Sequence, residues 1–347
     1  MKKLKIAQIA PLWFPIPPKK YGGTERIISL LTEELTKRGH QVTLFASGNS
    51  KTKAKLVSVT KKGLREQEIP WHDWFWNNFN HSLAFEREKE FDIFHCHWNI
   101  LGAFFQRFIK KPVLHTLHNT PRSSDHRWKI FEHYKKELNV VFLSKNQQRR
   151  SPVRFKKEWV IYNGIDISKF RYKEKAENFL LWVGRICPDK APDIAVRVAE
   201  KTGMNLILAG QLQPMYEEYF KKEIKPRLSK KIKYIGELTQ KELISLYGKA
   251  LALLYPARWQ EPFGLIVVES MASGTPVIAS KKGSLPEIVS KKTGFVVKDI
   301  PEMVKAIKSI DKIKRKDCRE RAEKYFGYQR MVDNYEKVYY KITNIGN

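Results

Sequence analysis

The stretch ALLYPARWQEPFGLIVVESMASGTPVIA, residues 252–279, reads as one strand–helix–strand unit. Residues 252–255 and 276–279 are short apolar runs of strand length. Between them Gly264 and Leu265 open an apolar helix, with Pro262 suited to its start. Working outward, the runs at 179–183, 205–209 and 232–235 read as buried strands of the same set. A second set lies upstream at 5–10, 42–46, 91–97, 113–118 and 140–143. Helical periods such as 27–38 and 192–202 alternate with them, which implies parallel sheets covered by helices on both faces. Ten strands exceed one small doubly wound sheet, so the chain reads as two α/β halves, 1–165 and 166–325. The polar stretch 166–178 marks their junction. The tail 326–347 reads as helical, with Tyr328, Met331, Val332, Tyr335, Val338 and Tyr339 on one stripe. It can pack on either half, back on the first included. Ligands of open parallel sheets bind beyond the carboxyl ends of the strands. The informative residues are therefore expected just after strands.

Composition narrows the function classes. A chain of 347 residues with 42% hydrophobic and 29% charged residues suits two soluble domains and argues against disorder. Lys and Arg total 65 against 36 Asp and Glu, a net charge of +29 that predicts attraction to anions: nucleotide phosphates, acidic lipids or nucleic acid. No apolar run reaches the roughly 18 residues of a membrane span. The basic N-terminus runs into a strand rather than a secretory signal, because Gln8 and Pro11 break its apolar stretch. Cys96, Cys187 and Cys318 are too far apart for a zinc motif and odd in number, which fits a reducing cytoplasm.

Three motifs follow strands. Gly22-Gly23-Thr24-Glu25 precedes a helix, where paired glycines let backbone N–H groups approach a phosphate. The same residues also read as a plain strand-to-helix turn capped by Thr24. There is no GxGxxG fingerprint and no GxxxxGK[ST], so dinucleotide oxidoreductases and P-loop NTPases lose their main support. In LWVGRICPDKAP, Arg185 and Lys190 follow a strand, and a guanidinium fork plus an ammonium suits a diphosphate. The other reading is a solvated pair of charges. In EPFGLIVVE, Glu269 lies five residues into an apolar helix, and a buried carboxylate needs a partner. A ribose diol is one. Glu261 stands near the positive end of the helix dipole, where free N–H groups are offered to a phosphate or a sugar hydroxyl. Alternatively Glu261 only complements the dipole and Glu269 is a surface charge.

The EPFGLIVVE–SMASGTPVIAS string resembles the signature of the family-4 glycosyltransferases, which have the GT-B fold of two facing Rossmann-like domains with parallel sheets and an interdomain cleft. YGGTE, FDIFHCHW, the TLHN segment, VIYNGID, VGRI…DK and PEIV…TGFVV match in order, so the likeness runs from about Ile6 to Val297. The resemblance implies retaining transfer of a sugar from a UDP-, GDP- or ADP-sugar to a hydroxyl acceptor, without metal or other cofactor. It places Arg185 and Lys190 on the donor diphosphate and Glu269 on the ribose. Glu261 and the amides of Phe263, Gly264 and Leu265 would meet the donor sugar or its phosphate. Gly22 and Gly23 would approach the diphosphate from the other domain, and His118 would sit at the reacting sugar. Glu261 and His118 are the candidate catalytic residues. Ser270 and Ser273 depart mildly from the pattern. Residues 47–70 match no motif, so the acceptor has no assignment. The alternatives are a sugar-nucleotide epimerase of the same fold and a non-catalytic nucleic-acid binder; the latter lacks any recognisable module.

All nine histidines precede residue 134. His95 and His97 share a strand face and His115 lies near, but no third ligand at metal spacing stands out, and polar roles at strand ends or in a cleft are favoured. The aromatic run Trp71, Trp74, Phe75, Trp76 and Phe79 reads as a helical stripe packed into the first half. A lipid wedge and an acceptor platform are the other readings. Likewise 104–111 reads as a core helix ending in lysines. A lipid-linked acceptor at an anionic membrane surface would suit the charge, with the protein peripheral on the inner face.

Overall fold

The computed structural model describes residues 2–70, 72–97, 101–119 and 125–345. The chain forms two compact units, residues 1–164 with 328–347, and residues 165–327.

Unit 1 carries a seven-stranded sheet: β1 (Lys5–Ile9), β2 (Gln41–Phe45), β3 (Lys55–Val57), β4 (Ile93–Cys96), β5 (Val113–Thr116), β6 (Asn139–Phe142) and β7 (Lys157–Val160). Its order is β3-β2-β1-β4-β5-β6-β7, and every pairing is parallel. The helices are α1 (Gly23–Lys37), α2 (Phe75–Glu86), α3 (Leu101–Phe105), α4 (Arg127–Tyr134) and α5 (Lys145–Arg150). Short strands buried on both faces explain why the sequence shows continuous apolar runs rather than alternation.

Unit 2 has six parallel strands in the order β10-β9-β8-β11-β12-β13: β8 (Phe179–Val183), β9 (Asn205–Ala209), β10 (Ile232–Tyr234), β11 (Ala252–Tyr255), β12 (Val277–Ser280) and β13 (Gly294–Val297). Around it lie α6 (Pro192–Thr202), α7 (Glu217–Tyr219), α8 (Gln240–Lys249), α9 (Leu265–Ala272), α10 (Leu285–Ile288), α11 (Ile300–Ile307) and α12 (Arg315–Phe326). Leu180, Trp182, Val196, Leu206, Leu254 and Ile278 centre its core. The polar stretch 166–178 is held to this unit: Arg319 donates to the Phe170 carbonyl and Arg315 to that of Lys173.

The last helix, α13 (Tyr328–Thr343), belongs to unit 1. Its stripe Met331, Val332, Tyr335, Val338, Tyr339 and Ile342 is buried. Arg38 and His40 both reach Glu336 at 2.8 Å, and the Tyr340 hydroxyl donates to the Lys2 carbonyl.

Two helices differ from expectation. In α2 the buried face is Asn77, Asn80, His81, Ala84 and Phe85, whereas Trp74, Phe75, Trp76 and Phe79 are exposed. The aromatic run does not pack into the unit; Trp71 lies outside the described residues. The reason is polar pegging. Asn77 Oδ1 accepts from the Leu12 N–H, and Asn80 Nδ2 donates to the Ala10 and Phe45 carbonyls, which fixes the rotation of the helix. In 104–111, Phe105 and Ile109 pack on the core but Phe104 and Phe108 are exposed.

Candidate functional site

In unit 2 the sheet order reverses between β8 and β11, the edge where ligands of such sheets bind. The segment after β8 supplies Arg185 and Lys190, and the loop after β11 supplies Glu261. Lys190 Nζ lies 2.6 Å from Glu261 Oε2 and 2.8 Å from the Tyr255 hydroxyl. Tyr255 Oη donates to the same carboxylate oxygen at 2.5 Å, and Trp259 Nε1 at 2.8 Å. The ammonium also stands 4.9 Å from the Trp259 ring centroid. Burial pushes the Glu261 carboxyl up, but the Lys190 charge and the three donors outweigh it and hold the group below its ordinary value.

Backbone contacts fix this loop. Gly283 has φ +54°, and a Cβ there would fall 2.3 Å from the backbone N and O of Glu261. Its bareness lets the turn after β12 close on the loop, where Ser284 N–H donates to the Glu261 carbonyl at 2.9 Å. Arg258 makes a two-pronged ion pair with buried Asp193, at 2.7 and 2.5 Å, tying the same loop to α6.

Gly264 caps α9 at φ +91°, and the helix begins at Leu265. Pro262 therefore lies before the cap rather than at the helix start. A capping glycine has no side chain to satisfy the first N–H groups, so amides near Gly264 and Leu265 are available to an anion. The Phe263 ring is turned into the core against Phe326, which leaves only its backbone to the site. Glu269 is buried rather than a surface charge, and its Oε2 accepts from the Tyr247 hydroxyl at 2.9 Å. Arg185 is half-buried just past β8. The structure thus brings Lys190 and Glu261 together and places Glu269 on the helix that follows.

In unit 1, Gly22 caps α1 at φ +138°, so the cap is not Thr24. A Cβ at Gly22 would meet Pro18 at 2.8 Å and Glu25 Oε2 at 2.9 Å. Glu25 is buried in the first turn, and burial raises its carboxyl to about 7. His118 follows β5 and is buried. Its Nε2 lies 3.0 Å from His97 Nδ1, and His97 Nε2 lies 2.6 Å from Gln8 Oε1. Gln8 Nε2 donates to the Tyr339 hydroxyl at 3.0 Å, which bonds His95 Nδ1 at 2.7 Å. His95 Nε2 reaches Thr116 Oγ1 at 2.7 Å, and that hydroxyl reaches Tyr335 at 3.1 Å. Burial holds the His118 imidazole down at about 3, and burial with neighbouring histidines holds His95 and His97 well below their ordinary value. All three are neutral. An amide oxygen only accepts, so His97 Nε2 carries the proton and His97 Nδ1 accepts from His118 Nε2–H. The donors therefore run in one direction from His118 through His97 and Gln8 to the Tyr339 hydroxyl.

Sequence reasoning passed over Tyr255, Trp259 and Tyr247, the donors around the two carboxylates. The aromatic ends of 252–255 and ARWQE carried the only available signal. It also left Gln8 and the two tyrosines of α13 without a role, since nothing local links positions more than 300 residues apart.

Residues 165–325 match the family model described as glycosyl transferases group 1, and residues 21–169 match glycosyltransferase family 4. An uncharacterized glycosyltransferase of Methanocaldococcus jannaschii is 27% identical over 329 residues, covering 81% of this chain and 82% of the relative. The solved sucrose-phosphate synthase of Thermosynechococcus elongatus shares the fold with a TM-score of 0.84 at 19% identity, covering 99% of this chain and 100% of that one. The Anabaena protein HepE, solved in complex with UDP and glucose, has a TM-score of 0.77 at 19% identity, covering 96% of this chain and 99% of that one. Two Rossmann-like units of the GT-B type, matched in order by two family models that together span residues 21–325, leave one conclusion: the chain belongs to the family-4 glycosyltransferases.

Proposed function

We propose that the protein transfers a sugar from a nucleotide-diphosphate donor to a hydroxyl acceptor with retention of configuration. The Lys190–Glu261 pair across the strand-order reversal of unit 2 carries this reading. Lys190 has three ammonium protons and two are engaged, so one remains for a phosphate oxygen. Arg185 and the amides near Gly264 and Leu265 add donors where negative charge grows on the departing diphosphate, the place where fixed donors lower a barrier most. Glu269 takes the ribose hydroxyls. Glu261, already anchored by three donors, takes the donor sugar together with the backbone at Phe263. From unit 1, Gly22 and Gly23 serve the diphosphate and His118 the sugar. The leaving phosphate receives the acceptor proton, so no side-chain base and no metal is assigned. The HepE complex with UDP and glucose supports a nucleotide-sugar donor.

Calorimetric titration with UDP, GDP and ADP tests this, together with a screen of sugar nucleotides for slow hydrolysis. One nucleotide is expected to bind in EDTA and to lose at least about tenfold in affinity on Arg185→Ala or Lys190→Ala, the loss of a charge-assisted contact. Glu269→Ala is expected to weaken donor binding, and Glu261→Ala to lower turnover. Binding of none of the three nucleotides would end the proposal.

A further inference from the structure

Helix α2 is built inside out. At about 100° per residue, Asn77, Asn80, His81 and Ala84 define its inward face, and Phe75 and Phe79 fall on the opposite side. Phe75 is 82% and Phe79 53% exposed, with Trp74 and Trp76 exposed beside them. The helix cannot roll to bury them without breaking the Asn77 and Asn80 bonds to the ends of β1 and β2. The neighbouring α3 segment, stacked on α2 through Phe85 and Phe105, adds Phe104 and the 84% exposed Phe108. Apart from Tyr21, every exposed large hydrophobic among the described residues of unit 1 lies between 74 and 108. Scattered apolar side chains need no explanation; a concentration of this kind marks a contact surface.

Helix α2 is bonded to the loop after β1, and cations predominate in that loop and the two beside it. The loops leaving the carboxyl ends of β1, β2 and β3 carry exposed Lys19, Lys20, Lys51, Lys61 and Lys62, with Arg65 half-buried, and these outnumber Glu66, Glu68 and Asp73. Beyond Phe108 stand the exposed Lys110 and the half-buried Lys111. A stable protein interface takes roughly 20–30 residues a side, far more than this handful of rings. Shallow insertion into lipid needs only a few aromatic side chains, with cations above them on anionic headgroups.

We propose that the outward face of α2, with Trp74, Phe75, Trp76 and Phe79 at its centre, docks this protein on an anionic lipid bilayer. None of its residues is among those assigned to the nucleotide. The test is flotation of the full chain with vesicles of phosphatidylcholine alone, and with about a third of the lipid replaced by phosphatidylglycerol. Binding is expected only with the anionic lipid, and to weaken steeply with added salt. Phe75→Ser with Phe79→Ser is expected to cut partitioning at least about tenfold. Its melting temperature and its nucleotide affinity stay unchanged, because both rings point away from the core. Phe75→Leu retains most of the binding. Absence of flotation at low salt would overturn the proposal, as would a double variant that partitions like the parent. So would a concentration-dependent dimer in sedimentation that Phe75→Ser abolishes, which assigns the face to a second copy. Nucleotide affinity, read in the same preparations, separates any such failure from failure of the transferase reading.

Discussion

At the scale of single residues, the Lys190–Glu261 pair is where buried charge meets the candidate site. Lys190 and Glu261 are each nearly enclosed, and an ion pair so placed is worth most when broken from one side. Glu261→Ala is expected to cost about 3 kcal/mol of unit 2 stability by leaving Lys190 buried without a counter-charge. Glu261→Gln, which keeps the shape and one acceptor, is expected to cost less. Urea unfolding of both variants decides it, and equal losses would mean that charge is not what the site stores. The relay of unit 1 yields a second expectation. Nitrogen-resolved NMR of the ring shifts should find His97 and His118 both carrying their proton on Nε2 at neutral pH. A proton on Nδ1 of either would reverse the direction of the chain of donors. Lys190 and Glu261 were legible in the sequence because strand ends before helices attract such residues. The relay was not, because Gln8 and Tyr339 meet only through the sheet and the last helix.

Among the elements, the strands missing from the sequence reading are β3, β7 and β13, and all are edge strands. An edge strand buries less of its surface, so KLV and KEWV show a weak apolar run beside lysines. The central strands, covered on both faces, were all legible. Helix α2 was misread because its aromatics look like a core stripe, whereas hydrogen-bonding asparagines take the inner positions. The docking of α13 on unit 1 offers a direct test. Tyr339→Phe removes the hydroxyl that receives the Gln8 amide and bonds His95, which takes the partner of Gln8 Nε2 and of His95 Nδ1 away in a buried interior. A loss of about 1–3 kcal/mol is expected in chemical denaturation. An unchanged midpoint would mean that water replaces the hydroxyl.

For the whole molecule, the histidines set the response to acid. Burial lowers His81 to about 4 and His115 and His118 to about 3, and takes His95 and His97 well down too. A group depressed on folding contributes stability that is complete above its unfolded value of 6.5 and is lost as pH falls toward the folded one. Glu25 acts in the opposite sense: its contribution is complete below 4.5 and is lost as pH rises through about 7. Five groups outweigh one, each by up to about 1.4 kcal/mol per pH unit. Thermal unfolding is therefore expected to drop steeply between pH 6.5 and about 5. A flat profile would mean that the imidazoles are not enclosed. The return of α13 has a consequence for biosynthesis. Unit 2 is an insertion between two pieces of unit 1, and its ends meet where Ile165 pairs with Gly327. On the ribosome the second Rossmann-like body can close before helix α13, which completes the first, has emerged.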